Sequence, residues 1–97
     1  MPKYALYVQL KPKPGKEAEV EAFLKQGATM SKAEPGTVTW YGLKEPGGTY
    51  AVFDTFNDEA GRDAHLTGDI AKALMAKASE LFANKLEINR IEIVGNK

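Results

Sequence analysis

Three short segments of this sequence carry apolar or aromatic side chains on both faces of an extended chain, and this pattern limits the folds available to it. The segments are residues 3–10, 37–44 and 49–56. In the first of them, Leu6 points to one face and Tyr7 to the other, as successive side chains of a strand do. A sheet built from such strands has to be covered on both faces, because apolar surface is buried at a gain in free energy.

Helical periodicity separates these strands and predicts the order of elements. One helix should begin near Pro14, which suits a first helical turn, and continue to about residue 32. The remaining predicted elements are a glycine turn at 45–48, a short helix capped by Asn57 or Asp58 and ending near 66, a longer helix over 70–82, and a strand at 86–94. This order predicts an α+β fold of the ferredoxin-like βαββαβ type. It has a four-stranded antiparallel sheet, helices on one face, and the first and third strands in the middle.

Composition narrows the possible functions. The 97 residues predict one domain over 1–97, with no cysteine for disulfides or thiolate chemistry. Thirteen basic residues balance 13 acidic ones, so we expect no nucleic-acid partner. No apolar run is long enough to span a membrane, and the first residues lack the apolar stretch of a signal peptide. We therefore expect a cytoplasmic protein.

The face of the sheet away from the helices predicts a homodimer. Tyr41 and Phe53 would lie on it, and a contiguous apolar face of this kind usually marks an interaction surface. In the last strand, Leu86 shares its phase with Ile88, but the apolar positions then change sides. A bulge would change the phase, as would a strand that joins the sheet of a neighbouring subunit. The simplest arrangement is a two-fold dimer with the sheets face to face.

His65 is the only histidine, and histidine is the side chain whose unperturbed pKa lies near neutrality, which makes His65 the first catalytic candidate. It could act as a general base or hydrogen-bond donor in a pocket between helices and sheet. It could instead seal the end of the short helix by bonding a free carbonyl. Both interpretations are open from the sequence.

Four further residues are candidates for substrate binding. Trp40 and Tyr50 each combine an apolar ring with a polar tip, so either could line a slot for a flat aromatic ligand, although core packing explains aromatic residues equally well. Asp54 is a carboxylate on a strand expected to be central, so it should be paired or functional, with Arg62 as a possible partner. One histidine without cysteines provides no recognisable metal-ligand set, and no metal is expected.

The chain resembles the antibiotic biosynthesis monooxygenase family over nearly its whole length. The resemblance rests on FDTFNDEA at 53–60, AHL at 64–66, KPGK at 13–16, EPGT at 34–37, and Trp40. It is similar in particular to the small bacterial quinol monooxygenases. By position, His65 matches the recurrent helix histidine of the family, and Asp54 takes a place often held by glutamate.

The resemblance implies a dimeric α+β barrel and a monooxygenase that oxidises an electron-rich phenol or hydroquinone with O₂ and without a cofactor. A related branch degrades haem, but its asparagine on the first strand has no counterpart at Val8 or Gln9, so haem is not expected. Two other hypotheses remain: a non-catalytic dimeric binding protein for small aromatic or hydrophobic ligands, and a structural dimer without a ligand.

Overall fold

The structure, a computed structural model, describes residues 2–97, so Met1 of the expected 1–97 domain lies outside the described residues. Its elements are β1 (Tyr4–Leu10), α1 (Glu17–Ser31), β2 (Thr37–Glu45), β3 (Thr49–Phe56), α2 (Glu59–Leu66), α3 (Asp69–Leu81) and β4 (Asn89–Glu92). Within residues 2–97, no helix is both long and apolar enough to cross a membrane.

The four strands form one antiparallel sheet in the order β2-β3-β1-β4, which confirms the ferredoxin-like arrangement with β1 and β3 in the middle. Even-numbered side chains of the central strands face the helices. Val8 lies opposite Val52, for example, and both belong to the core. The helices contribute their apolar stripes to the same core, among them Val20, Phe23 and Leu74. Burial of these side chains on one face of the sheet is the main stabilising contribution of the fold.

The start of α1 differs from the prediction. Pro14 and Gly15 form a turn, and the helix begins at Glu17. Gly15 has a φ of 83°, which a right-handed helix does not allow, so the chain has to pass this residue before helical geometry can begin. The prediction that Pro14 opens the helix is therefore wrong.

The last strand is shorter than predicted. Only Asn89–Glu92 pairs with β1, whereas residues 85–88 belong to no helix or strand. The register from Asn89 to Glu92 is regular, so no bulge explains the change of apolar phase within this stretch. Leu86 packs against the core on the helix side, and Ile91 lies opposite Ala5 on the other face. The apolar residues thus change faces as the chain enters β4.

One short connection joins β2 to β3, and a second joins β3 to α2. Gly47 and Gly48 have φ values of 84° and 80°, and they make the tight reversal between β2 and β3. After β3, the Asp58 side chain accepts a hydrogen bond of 2.7 Å from the Gly61 N–H and caps α2. Of the two predicted caps, Asp58 is the one used. The cap starts α2 directly after the central strand, which brings the helix back over the sheet.

The sheet face opposite the helices remains partly apolar. Tyr41, Phe53 and Tyr7 lie side by side across three strands, and Tyr41 is 51% exposed. This row also has polar neighbours: the Tyr7 hydroxyl donates to Glu45 Oε2 at 2.7 Å, and this hydrogen bond raises the pKa of Tyr7. We call this surface the open face.

Candidate active site

His65 lies between two carboxylates. Its Nε2 is 2.8 Å from Asp54 Oδ2, and its Nδ1 is 2.6 Å from Glu34 Oε1. The ring is held against Phe56, with centroids 5.4 Å apart, and the residue is 8% exposed. The ring therefore bonds two acidic side chains, not a carbonyl at the helix end, and the helix-sealing interpretation of His65 does not apply.

This environment favours the charged imidazolium. Burial alone would lower the pKa of His65, because charged groups are poorly solvated in the interior. The hydrogen bonds to Asp54 and Glu34, together with their negative charges, outweigh burial and raise the pKa above 6.5. Both ring nitrogens face oxygen acceptors, and only the doubly protonated ring donates to both of them. His65 is thus best described as a buried cation.

Asp54 is paired, as the sequence indicated, but with a different residue. It extends from the central strand β3, is 1% exposed, and its partner is His65. Arg62, the possible partner named from the sequence, does not pair with Asp54. Arg62 donates from a guanidinium nitrogen to the Ile91 carbonyl at 3.3 Å, and its guanidinium lies over the Tyr4 ring at 5.0 Å.

A small apolar pocket lies on the Asp54 side of His65, and we call it the inner pocket. It has a volume of about 40 Å³. Its lining consists mainly of aliphatic side chains from the sheet and α3, namely Leu6, Val8, Val52, Ile70, Leu74 and Ile88. Asp54 and Trp40 also line it. Asp54 Oδ1 and Trp40 Nε1 are buried and have no hydrogen-bond partner among the described residues.

These two unpartnered atoms are complementary. Trp40 lies directly opposite Asp54 in the pairing of β2 with β3, so the two side chains are neighbours on the same face of the sheet. Oδ1 is an acceptor and Nε1–H is a donor. A buried polar atom without a partner costs roughly 1–3 kcal/mol, so a bound hydroxyl group that donated to Oδ1 or accepted from Nε1–H would remove part of this cost.

A larger cleft lies on the Glu34 side of His65, and we call it the outer cleft. It has a volume of about 400 Å³ and lies between the turn that follows α1 and the helices α2 and α3. His65 and Ile70 line both cavities. His65 therefore forms part of the wall between the inner pocket and the outer cleft.

The structure brings only some of the predicted site residues together. Trp40, Asp54 and His65 share the inner pocket. Tyr50 does not line it: its hydroxyl donates to Glu21 Oε2 at 2.5 Å, beside Lys44 and away from His65. Arg62 lines neither cavity. Catalytic and binding roles stay predictions for Trp40, Asp54 and His65, whereas Tyr50 and Arg62 lie outside both cavities.

Glu34 was missed by the sequence reasoning. It lies in the turn between α1 and β2, within Glu-Pro-Gly, a sequence typical of a helix end. Its proximity to His65 depends on packing between residues 31 positions apart. The EPGT motif at 34–37, which contributed to the family resemblance, was the available signal. In residues 2–97, no three acidic or histidine side chains are arranged to hold a metal ion.

The fold and the site together define a class: a ferredoxin-like α+β domain with a buried histidine–carboxylate pair beside an apolar pocket. The sequence profile named antibiotic biosynthesis monooxygenase matches residues 4–77. The chain belongs to the antibiotic biosynthesis monooxygenase family, and this membership supports a monooxygenase-like role.

Solved structures agree with this assignment. A Nitrosomonas europaea protein of unknown function is 46% identical, with a TM-score of 0.94 over 100% of this chain and 94% of that chain. A candidate antibiotic biosynthesis monooxygenase from Caulobacter crescentus is 25% identical, with a TM-score of 0.83 over 97% of this chain and 92% of that chain. A Mycobacterium tuberculosis protein that is 18% identical shows the same fold, with a TM-score of 0.86 and 97% of each chain covered. No curated protein matches the chain significantly.

Proposed function

We propose that this protein is a cofactor-independent monooxygenase that oxidises an electron-rich phenol or hydroquinone with O₂ in the inner pocket. One observation carries the proposal: Asp54, bonded to the buried cation His65, presents a second, unpartnered oxygen in an apolar pocket. A base and a neighbouring positive charge in a dry site are what the deprotonation of a phenol requires.

The chemistry begins with the ligand hydroxyl between Asp54 and Trp40. The hydroxyl donates to Asp54 Oδ1 and accepts from Trp40 Nε1–H. Asp54 takes the phenolic proton, and the resulting phenolate is stabilised by the indole N–H and by the positive charge of His65. The sequence pointed to His65 as the base, but an imidazolium has no free lone pair, so Asp54 is the better base.

The anion then reacts with O₂ itself. The phenolate gives one electron to O₂, and the radical pair combines to form a carbon–oxygen bond on the ring. Asp54 returns its proton to the peroxide, the O–O bond breaks, and the ring C–H proton is lost. One oxygen atom stays on the ring as a quinone carbonyl. The other leaves as water, with the hydrogens of the phenolic O–H and the ring C–H.

A ring does not fit the inner pocket without movement. A cavity of about 150 Å³ accommodates benzene, and the pocket here has about 40 Å³. Among the residues that line the pocket, Ile88 has the most freedom to move, because it is 40% exposed and residues 85–88 belong to no helix or strand. The proposal therefore includes widening of the pocket at Ile88 when the ligand enters.

Oxygen uptake tests the proposal. A panel of hydroquinones and polycyclic phenols is incubated with the chelator-treated protein, and O₂ consumption is compared with the spontaneous rate. We expect uptake with at least one compound and loss of most of it in His65→Ala. Tyr50→Phe is the matched control and should keep wild-type uptake, because Tyr50 lies outside the pocket. Uptake no faster than the spontaneous rate across the whole panel would contradict the proposal.

A non-catalytic dimeric binding protein for small aromatic or hydrophobic ligands is the second candidate. The small volume of the inner pocket favours it, since a ligand that fills the widened pocket would leave little space for O₂. Tight binding of a phenol with no O₂ consumption would support this function over the first. Calorimetric titration beside the oxygen measurement distinguishes the two.

We also propose that the protein forms a homodimer through the open face. The row Tyr41, Phe53 and Tyr7 supports this, because a second copy would cover apolar side chains that the helices cannot reach. The cytoplasmic location and the absence of nucleic-acid and membrane partners stay predictions.

A further inference from the structure

We infer that Glu34 is a positioning residue: it holds His65 in the doubly donating, charged form that faces Asp54. Glu34 does not touch the inner pocket, so it acts on the ligand only through His65. The effect of Glu34 on turnover rests on the proposed function. Its effect on His65 rests on the geometry alone.

The two contacts of His65 require two protons. Nδ1 is 2.6 Å from Glu34 Oε1, and Nε2 is 2.8 Å from Asp54 Oδ2. A neutral ring would direct a lone pair at one of these oxygens, and two acceptors at such a distance repel each other. Glu34 thus favours the charged form of the ring, because it accepts a hydrogen bond from Nδ1, the nitrogen that Asp54 does not contact. The raised pKa of His65 agrees with this arrangement.

Glu34 is itself held in place. The Thr37 hydroxyl donates to Glu34 Oε1 at 2.8 Å, and the Thr37 N–H donates to the Glu34 carbonyl at 3.2 Å. The Glu34 N–H donates to the Ser31 carbonyl at 3.0 Å. Gly68 leaves space for the second carboxylate oxygen of Glu34, because a Cβ at residue 68 would lie only 3.1 Å from Glu34 Oε2. The turn therefore fixes the carboxylate against the imidazole ring.

The other charged groups near His65 do not duplicate this contact. Asp54 reaches the ring from β3 and bonds Nε2. Asp69, at the start of α3, lines the outer cleft but makes no hydrogen bond to the ring. On α2 itself, Arg62 points to Tyr4, and Asp63 pairs with Arg90 at 3.3 Å. Glu34 is the carboxylate that sets the charge of His65 from the outer cleft.

The charge on His65 should determine the pH range in which the site is active. The positive charge of His65 stabilises the negative charge shared by Asp54 and the ligand oxygen. Glu34→Gln keeps an oxygen that can accept from Nδ1 but removes the negative charge, so His65 should lose its proton at a lower pH than in the wild-type protein. Turnover of Glu34→Gln should then fall at a lower pH, and acidification should restore it.

The experiment uses the fact that the chain has one histidine. The imidazole Cε1–H signal in a ¹H–¹³C NMR titration reports His65 alone, whether or not the protein is an enzyme. Wild type, Glu34→Gln and the control Asp69→Asn are titrated, with thermal melts to verify folding. We expect Glu34→Gln to titrate at a clearly lower pH, whereas Asp69→Asn should follow the wild type. Equal titration of Glu34→Gln and wild type would overturn the inference.

The kinetic measurement separates the inference from the proposed function. For a phenol that the wild type oxidises, the alkaline limb of the kcat profile should move to lower pH in Glu34→Gln, with full kcat at acidic pH. An unmoved limb would overturn the role of Glu34 and leave the oxygenase in place. If no phenol is oxidised, the oxygenase fails, and the NMR titration still decides whether Glu34 holds His65 charged.

Discussion

Asp54 and His65 form an ion pair inside the domain, with 2.8 Å between Oδ2 and Nε2 and exposures of 1% and 8%. Opposite charges at this depth are costly to bring out of water, and a pair is retained only where its geometry and additional hydrogen bonds compensate. Glu34 provides one of these bonds at Nδ1. The second oxygen of Asp54 receives none among the described residues, and in the proposed function it is the atom that accepts the phenolic proton.

Asp54→Asn should abolish turnover while preserving the shape of the side chain. An amide is not a base, and general-base catalysis contributes about 10²–10⁴-fold, so we expect kcat/KM to fall at least about 100-fold. Oxygen uptake with an active phenol measures the effect. Asp63→Asn is the control, since its carboxylate lies in an exposed pair with Arg90. Activity of Asp54→Asn within about threefold of wild type would exclude Asp54 as the base.

The stability of the protein should depend on pH through His65. Its pKa is raised in the folded state, because of Asp54 and Glu34, so the folded protein binds this proton more tightly than the unfolded chain does. The stabilisation is complete below the unfolded value of 6.5 and is lost as pH rises through the folded pKa. The difference in unfolding free energy between wild type and His65→Gln should therefore shrink as the pH rises above 6.5. Urea denaturation measures it, and a difference that grows with pH would contradict the charged state of His65.

Trp40→Phe should weaken recognition of the ligand hydroxyl and little else. Phenylalanine keeps an aromatic ring in the core but lacks Nε1–H. Loss of a buried hydrogen bond costs roughly 1–3 kcal/mol, so the preference for a phenol over the analogue without the hydroxyl should drop about 5-fold or more. Isothermal titration of both ligands gives this preference. An unchanged preference would mean that Trp40 Nε1 does not contact the hydroxyl.

A charge on the open face should prevent dimer formation. Tyr41→Glu changes an exposed residue, so the fold of the single chain should tolerate it, but two buried copies of the charge would be unpaired. Light scattering after size exclusion should give twice the chain mass for wild type and one chain mass for Tyr41→Glu. Val94→Glu, fully exposed near the C-terminus, is the control and should stay dimeric. A monomeric wild type at micromolar concentration would refute the dimer.

Much of the fold was predictable, because strand and helix periodicities are local properties. The core positions Val8, Val52 and Leu74 follow from alternation and helical spacing alone. The end of the chain was less predictable. Residues 86–88 alternate apolar and polar side chains as a strand does, but the pairing with β1 ends at Tyr7 and Asn89. Beyond that pair, the side-chain amide of Asn84 donates to the Gln9 carbonyl.

The site could be predicted only in part, because the partner of Asp54 depends on how α2 packs against the sheet. A carboxylate at Asp54 on a central strand required a partner, and the sequence indicated that much. Arg62 and His65 are three residues apart on α2, so both face the sheet, and their local sequence does not say which one meets Asp54. The packing of α2 decides it: Arg62 lies over Tyr4, and His65 lies over β3.

Labelling with ¹⁸O₂ tests the oxygenase most directly. The protein is incubated with ¹⁸O₂ and a phenol from the panel that it consumes, in unlabelled water, and the quinone is analysed by mass spectrometry. We expect one ¹⁸O atom in each quinone product and the second ¹⁸O atom in water. An unlabelled quinone together with labelled hydrogen peroxide would show simple oxidation without oxygen insertion, and it would contradict the monooxygenase assignment.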